Sequence, residues 1–304
     1  MKKKILFTGG SGLLATNWAL AIADEFEVFA GLHNKMIALP GVEALVIDME
    51  SVEAFAETLK VVHPDVVIHC ASLTTVEGCE SDPGLAEHTN IDLAVNVALA
   101  CKQYNVRFVN ICTDHLFAGK KPLATESDPV EPLNEYGRTK ALAEQKILEV
   151  SEDFLSIRTN FYGWGTTYRH SFSDSILSAL RNGKNISLFD DIHYTPVLIE
   201  TLAHVVMILI EKNAKGIYNV VGNERISKYE FGMRVASVFG LNDSLITPSS
   251  FADRKDLVQR PLDLSLSNKK AVAFVGADFG NIDDDIRRLQ KQEQDGFANT
   301  IKNI

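Results

Sequence analysis

Lys4-Ile5-Leu6-Phe7-Thr8 runs directly into Gly9-Gly10-Ser11-Gly12-Leu13-Leu14-Ala15, a short apolar run followed by the string G-x-x-G-x-x-A. Few folds use that string between a strand and a helix. Gly9 and Gly12 let the backbone turn tightly and approach a pyrophosphate, Ala15 lets the helix pack close to the strand, and the helix N-terminus favours anionic phosphates. The spacing predicts the first strand-to-helix turn of a dinucleotide-binding unit, with Gly9, Ser11, Gly12, Leu13 and Leu14 against the cofactor.

Downstream, short apolar runs alternate with amphipathic stretches, the pattern of a parallel sheet with crossover helices. The runs are Glu27 to Gly31, Ala44 to Ile47, Val66 to His69, Phe108 to Ile111 and Phe154 to Arg158. Val52 to Val62 and Leu85 to Tyr104 carry apolar residues at helical spacing between them. Val66-Val67-Ile68 is continuously apolar, as burial on both faces of a doubly wound α/β sheet requires. After about residue 160 the alternation weakens. Helical patterns at Phe172 to Leu180, Thr201 to Glu211 and Tyr229 to Phe239 are separated by short strands such as Ile217 to Val221. Residues 1–160 are therefore expected to form the cofactor-binding unit, and residues 161–304 a smaller mixed substrate-binding lobe interleaved with returns to the main sheet. The last ten residues are expected to be loosely held.

The end of the second strand discriminates between nicotinamide cofactors, because an Asp or Glu there favours the ribose hydroxyls of NAD. Ala30-Gly31-Leu32-His33-Asn34-Lys35 has neither. His33 and Lys35 are instead suited to a 2'-phosphate, so NADP(H) is favoured and NAD(H) stays open; Lys35 reads equally as a solvated surface charge. Asp48, with Met49 beside it, is a candidate for the adenine amino group, or a cap for the helix that starts near Ser51. Ala71 and Ser72 follow the fourth run, where small residues permit close approach to the cofactor.

Tyr136-Gly137-Arg138-Thr139-Lys140 places Y-x-x-x-K at the start of a helix, with Tyr136 and Lys140 on one face. A free tyrosine titrates near pH ~10, and a lysine ammonium on the same face stabilises its phenolate. The fifth strand delivers Cys112-Thr113-Asp114-His115 to the same carboxyl edge of the sheet, where open α/β folds bind ligands. There Thr113 can donate to a substrate carbonyl while Tyr136 supplies a proton and hydride comes from a nicotinamide. Cys112 has no evident partner base and reads as a buried strand thiol.

Cys112-Thr113-Asp114-His115-Leu116-Phe117-Ala118-Gly119 followed by Pro132-Leu133-Asn134-Glu135-Tyr136-Gly137-Arg138-Thr139-Lys140 resembles the extended short-chain dehydrogenases/reductases of the dTDP-4-dehydrorhamnose reductase type. Their patterns are S-T-D-Y-V-F-x-G and P-L-N-x-Y-G-x-T-K. The resemblance continues through His69 to Glu77 and Arg158 to Phe161, and reaches Arg260 to Leu266. It implies a Rossmann-type domain, a small substrate lobe, catalysis by Thr113, Tyr136 and Lys140, and contacts from Tyr136 and Lys140 to the cofactor. On the sugar side it implies Thr74, Thr75, Glu77, Asp114, Phe161 and His193. Arg260 is a candidate for the diphosphate of a sugar nucleotide, or a surface ion pair before Pro261. Cys112 stands where the family usually has Ser, His115 where it has Tyr, and Phe161 where rhamnose-pathway members have Trp.

The expected activity is NAD(P)H-dependent reduction of a 4-keto-6-deoxyhexose nucleotide. Epimerases and dehydratases share this fold and the Tyr/Lys pair. Dehydratases, however, have Thr-Asp-Glu where this chain has Thr113-Asp114-His115. A non-catalytic NADP-binding regulatory subunit is the reading from a different class, and the intact trio argues against it. A formal net charge of −10 repels a phosphate backbone and removes nucleic acid from the expected partners. Lys2, Lys3 and Lys4 with Ala19-Leu20-Ala21 imitate a secretory signal, but Thr8-Gly9-Gly10-Ser11-Gly12 interrupts the apolar stretch, and no later run has the ~20 apolar residues of a membrane span. Cys70, Cys79, Cys101 and Cys112 form no C-x-x-C pair, and His63, His88, His170 and His204 share no metal spacing. A cytoplasmic protein without membrane or metal is expected; a homodimer stays open.

Overall fold

In the computed structural model, which describes residues 2–304, the apolar runs become the parallel strands β1 (Lys4–Thr8), β2 (Glu27–Leu32), β3 (Val42–Val46), β4 (Val66–His69), β5 (Arg107–Thr113) and β6 (Leu155–Thr159). A seventh, β7 (Gly216–Asn219), pairs with β6. The order across the sheet is β7-β6-β5-β4-β1-β2-β3. Every pairing is parallel, with Phe7 opposite Ala30 on one side and Ile68 on the other. The result is a Rossmann-type doubly wound sheet.

Alternate residues along each strand enter two different cores. Ile5, Phe7, Val66, Ile68, Val109 and Ile111 face one side with Ala15 and Trp18 of α1 (Leu13–Ile22). Leu6, Phe29, Val67 and Phe108 face the other. There they meet Phe55 and Leu59 of α2 (Val52–Val62), Val97 and Cys101 of α3 (Leu93–Gln103), and Ala143 and Ile147 of α4 (Glu135–Val150). A central strand with helices on both faces must be apolar at every position, which is why Val66 to Ile68 shows no alternation.

Beyond residue 160 the chain contributes to both regions. Leu202, Val206 and Leu209 of α5 (Ile199–Glu211) join the core that holds Trp18, and β7 follows directly. The smaller lobe uses three two-stranded pairs: Phe161–Tyr162 with Val197–Leu198, His193–Tyr194 with Ile226–Ser227, and Ile186–Phe189 with Ile246–Ser249.

Two local expectations are overturned. The helix expected over Leu85 to Tyr104 is broken into Pro83–Glu87, a π-helical turn at His88–Asp92, and α3. The cause is tertiary: within that turn the Asn90 side chain is tied to Ser72, Leu73 and Thr139 outside its own helix, and a wider turn accommodates this. The C-terminus is not loose either. Phe297–Lys302 is helical, Ala298 and Ile301 are fully buried, and the Ile304 carbonyl accepts from the Thr167 hydroxyl.

Candidate active site

The sheet order reverses between β1 and β4, so the loops after these strands part and leave a crevice at their carboxyl ends. A cleft of about 900 Å³ opens there. Gly9, Ser11, Gly12, Leu13, Leu14, His33, Asp48, Met49, Ala71, Ser72, Thr74, Thr75, Thr113, Asp114, Tyr136, Lys140 and Phe161 all line it. Residues as far apart in the chain as Gly9 and His170 thus share one cavity.

The glycine turn forms the floor. Gly9 has φ +63°, and a Cβ there would lie 2.7 Å from the Ala71 backbone nitrogen. Gly10, absent from the expected set, is required as well, since a Cβ would lie 2.9 Å from that of Ala30. No side chain caps α1, and Leu13, Leu14 and Ala15 of its first turn face the cleft. An uncapped helix start behind a bare backbone turn suits a pyrophosphate, so these residues fit a dinucleotide.

At the other end of the floor, Asp48 accepts from the Glu50 backbone N–H at 2.8 Å. Capping of α2 falls to Ser51, whose hydroxyl accepts from Ala54 at 3.1 Å, so Asp48 does not serve as that cap. His33 reaches the cleft wall, whereas Lys35 lies outside it, its ammonium 4.4 Å from the centre of the Tyr168 ring.

Tyr136 and Lys140 occupy the first two turns of α4, which begins at the Asn134 cap (Asn134 Oδ1 accepts from Gly137 N at 2.9 Å). The helix start can press against the loop after β5 because Gly137 has no side chain; a Cβ there would lie 2.4 Å from the His115 carbonyl. That contact brings Tyr136 to Thr113. The Lys140 ammonium is buried and donates to the Ile111 carbonyl at 2.8 Å. Burial pushes the Tyr136 phenol above the usual range, while the nearby Thr113 hydroxyl pulls the other way. The expectation that lysine holds this phenol low is therefore not met in the protein alone: burial prevails and the ammonium is engaged by a carbonyl. Burial pulls Lys140 down in turn.

Around this pair, Asp114 is 2% exposed and accepts from Thr113 Oγ1 at 3.2 Å and from Asn160 Nδ2. The His115 ring stands edge-on to Tyr136, 5.4 Å between centres, and burial pulls its pKa down. Cys70 and Cys112 also line the cleft, but burial pushes both thiols up to about 12, leaving almost no thiolate for a nucleophilic role.

Glu77, His193 and Arg260 are not part of the cleft wall. Arg260 pairs with Glu77, one residue beyond the cleft-lining Val76, and its guanidinium lies 5.4 Å from the Phe251 ring centre. His193 exchanges backbone hydrogen bonds with Leu262 and Leu264, both at 2.8 Å. Sequence reasoning missed Asn90, Asn160, Arg169 and His170. Nothing local marks the two asparagines, whose partners are distant; Arg169 and His170 reach the cleft because the chain after Trp164 turns back over it.

Among the described residues no three His, Cys, Asp or Glu side chains converge as a metal site, and no helix is long and apolar enough to cross a membrane.

The chain is similar to known proteins along most of its length. The family model described as RmlD substrate binding domain matches residues 2–294. The chain is 27% identical over 287 residues to the probable low-salt glycan biosynthesis reductase Agl14 of Haloferax volcanii, covering 93% of this chain and 96% of that protein. It is 28% identical over 259 residues to methionine adenosyltransferase 2 subunit beta of Xenopus laevis, covering 81% and 75%. It superposes on dTDP-4-dehydrorhamnose reductase from Bacillus anthracis, solved in complex with NADP, with a TM-score of 0.84 at 22% identity over 96% and 100% of the two chains. At that identity the superposition speaks for the fold.

Proposed function

The chain belongs to the RmlD substrate binding domain family, and on that premise we propose that it is an NAD(P)H-dependent reductase of a keto-sugar nucleotide of the 4-keto-6-deoxyhexose class, with Tyr136 as proton donor. The observation that carries this reading is the convergence of Thr113, Tyr136 and Lys140 on one cleft, with Lys140 one helical turn behind Tyr136.

Gly9, Ser11, Gly12, Leu13 and Leu14 would hold the pyrophosphate of the cofactor, and Ala71 and Ser72 would leave room for it beyond β4. NADPH is favoured because no acidic residue ends β2 and His33 stands on the cleft wall there. The bound cofactor supplies hydride. Thr113 donates to the substrate ketone and polarises it, while Tyr136, kept protonated by burial, delivers a proton to the developing alkoxide. Lys140 then offers positive charge to the phenolate left behind. Thr74, Thr75, Asp114 and Phe161 contact the sugar; the Glu77–Arg260 pair and His193 border its nucleotide side.

Purified protein given NADPH and a 4-keto-6-deoxy sugar nucleotide should oxidise the cofactor. Tyr136→Phe should bind NADPH normally and lose at least about 100-fold in turnover. No oxidation across keto-sugar nucleotides of several bases would overturn the proposal. Similarity to the methionine adenosyltransferase subunit favours a second reading, a cofactor-binding regulatory subunit. Its mark would be tighter binding to another protein in the presence of cofactor, without turnover.

A further inference from the structure

The chain from Gly165 to His170 turns back over the mouth of the cleft, and its shape is built rather than loose. Thr166 N donates to the Arg169 carbonyl at 3.0 Å, Arg169 N donates to the Thr166 hydroxyl at 3.0 Å, and Gly165 N donates to the Asp174 carboxylate. From this turn two side chains reach opposite banks. The Tyr168 hydroxyl donates to the Ser11 carbonyl in the glycine turn at 2.9 Å, and Arg169 Nη2 donates to the Thr74 hydroxyl beyond β4 at 3.2 Å.

Lys35 sits at the adenosine end of this arrangement. It follows β2 by three residues, is exposed, and has no carboxylate partner among the described residues. Its ammonium lies 4.4 Å from the Tyr168 ring centre, within the range in which an aromatic face attracts a cation. A lysine on a free surface samples many rotamers; one resting on a ring whose hydroxyl is tied to the Ser11 carbonyl is held on the glycine-turn side of the cleft, where Ser11 is part of the wall.

We propose that Tyr168 is a positioning residue for cofactor choice: its ring holds the Lys35 ammonium beside the glycine turn, just outside the cleft wall, from where the ammonium reaches the 2'-phosphate of NADPH bound at the adenosine end. The inference rests on the cofactor part of the proposed function and not on the sugar. It assigns to the C-terminal half of the chain a role in a choice that is otherwise made at the end of β2.

The test is fluorescence titration of the full chain with NADPH and NADH, without sugar nucleotide. The wild type should prefer NADPH, and Lys35→Ala should lower the NADPH-to-NADH affinity ratio about tenfold. Tyr168→Ala should lower it about fivefold while NADH affinity stays within about twofold, which also reports an intact fold. The double variant should fall no further than Lys35→Ala alone, because both act through one ammonium. Tyr168→Phe, which keeps the ring, should retain more of the preference than Tyr168→Ala. An unchanged ratio in Tyr168→Ala, equal losses for both cofactors, or a wild type without preference would each overturn the proposal. A chain that passes this test but reduces no keto-sugar nucleotide would sink the reductase reading alone.

Discussion

The ammonium of Lys140 donates to the backbone carbonyl of Ile111 at 2.8 Å, which anchors it to the end of β5, while Tyr136, one helical turn earlier, shares the cleft with Thr113. The strand thereby sets both members of the helical pair. Its carbonyl holds the lysine, and its final residue meets the phenol.

Lys140→Met removes the charge and its hydrogen bond but keeps a long stem. Turnover should fall at least about 100-fold. Melting temperature should move by only a few degrees, because the cost of burying the ammonium disappears together with the bond. Turnover near that of wild type would remove Lys140 from the chemistry.

His69 makes stability depend on pH. It is 1% exposed, and burial, with Lys140 nearby, pulls its pKa down to about 3. A histidine that stays neutral when folded contributes stability above its unfolded pKa of about 6.5, and that contribution is lost as pH falls towards the folded value. At pH 5 the loss from this one group is about 2 kcal/mol. His115, lowered in the same direction, adds to it. Unfolding free energies from urea titrations at about pH 7 and 5 should therefore differ by about 2 kcal/mol less in His69→Asn, whose amide can replace the 2.9 Å contact to Thr8. An identical pH dependence in wild type and variant would refute the assignment.

Asn90 ties the loop after β4 to α4. Its Oδ1 accepts from Ser72 Oγ at 2.8 Å and Leu73 N at 2.7 Å, and its Nδ2 donates to Leu73 O at 3.2 Å and Thr139 Oγ1 at 3.0 Å. Asn90→Ala should cost about 3 kcal/mol in denaturant unfolding and weaken cofactor binding as Ala71 and Ser72 shift. Asn90→Asp, which keeps both acceptor contacts, should lie between. A loss under about 0.5 kcal/mol for Asn90→Ala would show that water replaces these bonds.

Gly9 and Gly183 have the same φ of +63° but different surroundings. A Cβ on Gly183 meets nothing within 4 Å, so Gly183→Ala should cost only about 1 kcal/mol of backbone strain. Gly9→Ala adds the clash with Ala71 and should cost about 3 kcal/mol and abolish NADPH binding. Equal losses at the two positions would mean that the close approach to Ala71 relaxes freely.

What could be read without a structure was local. The Lys4 to Thr8 run with its glycine turn, the continuously apolar Val66 to Ile68, and Tyr136 four residues before Lys140 are short-range patterns, because one strand or one helical turn is enough to display them. They determined the sheet, the glycine turn at its switch point and the Tyr/Lys pair. Tertiary structure decided the rest: the π-helical turn at Asn90, the return of α5 and β7 to the sheet, the pairing of Glu77 with Arg260, and the seat of Lys35 on Tyr168. Each depends on a partner brought up by chain closure over tens to hundreds of residues, and no local propensity encodes where such a partner will stand.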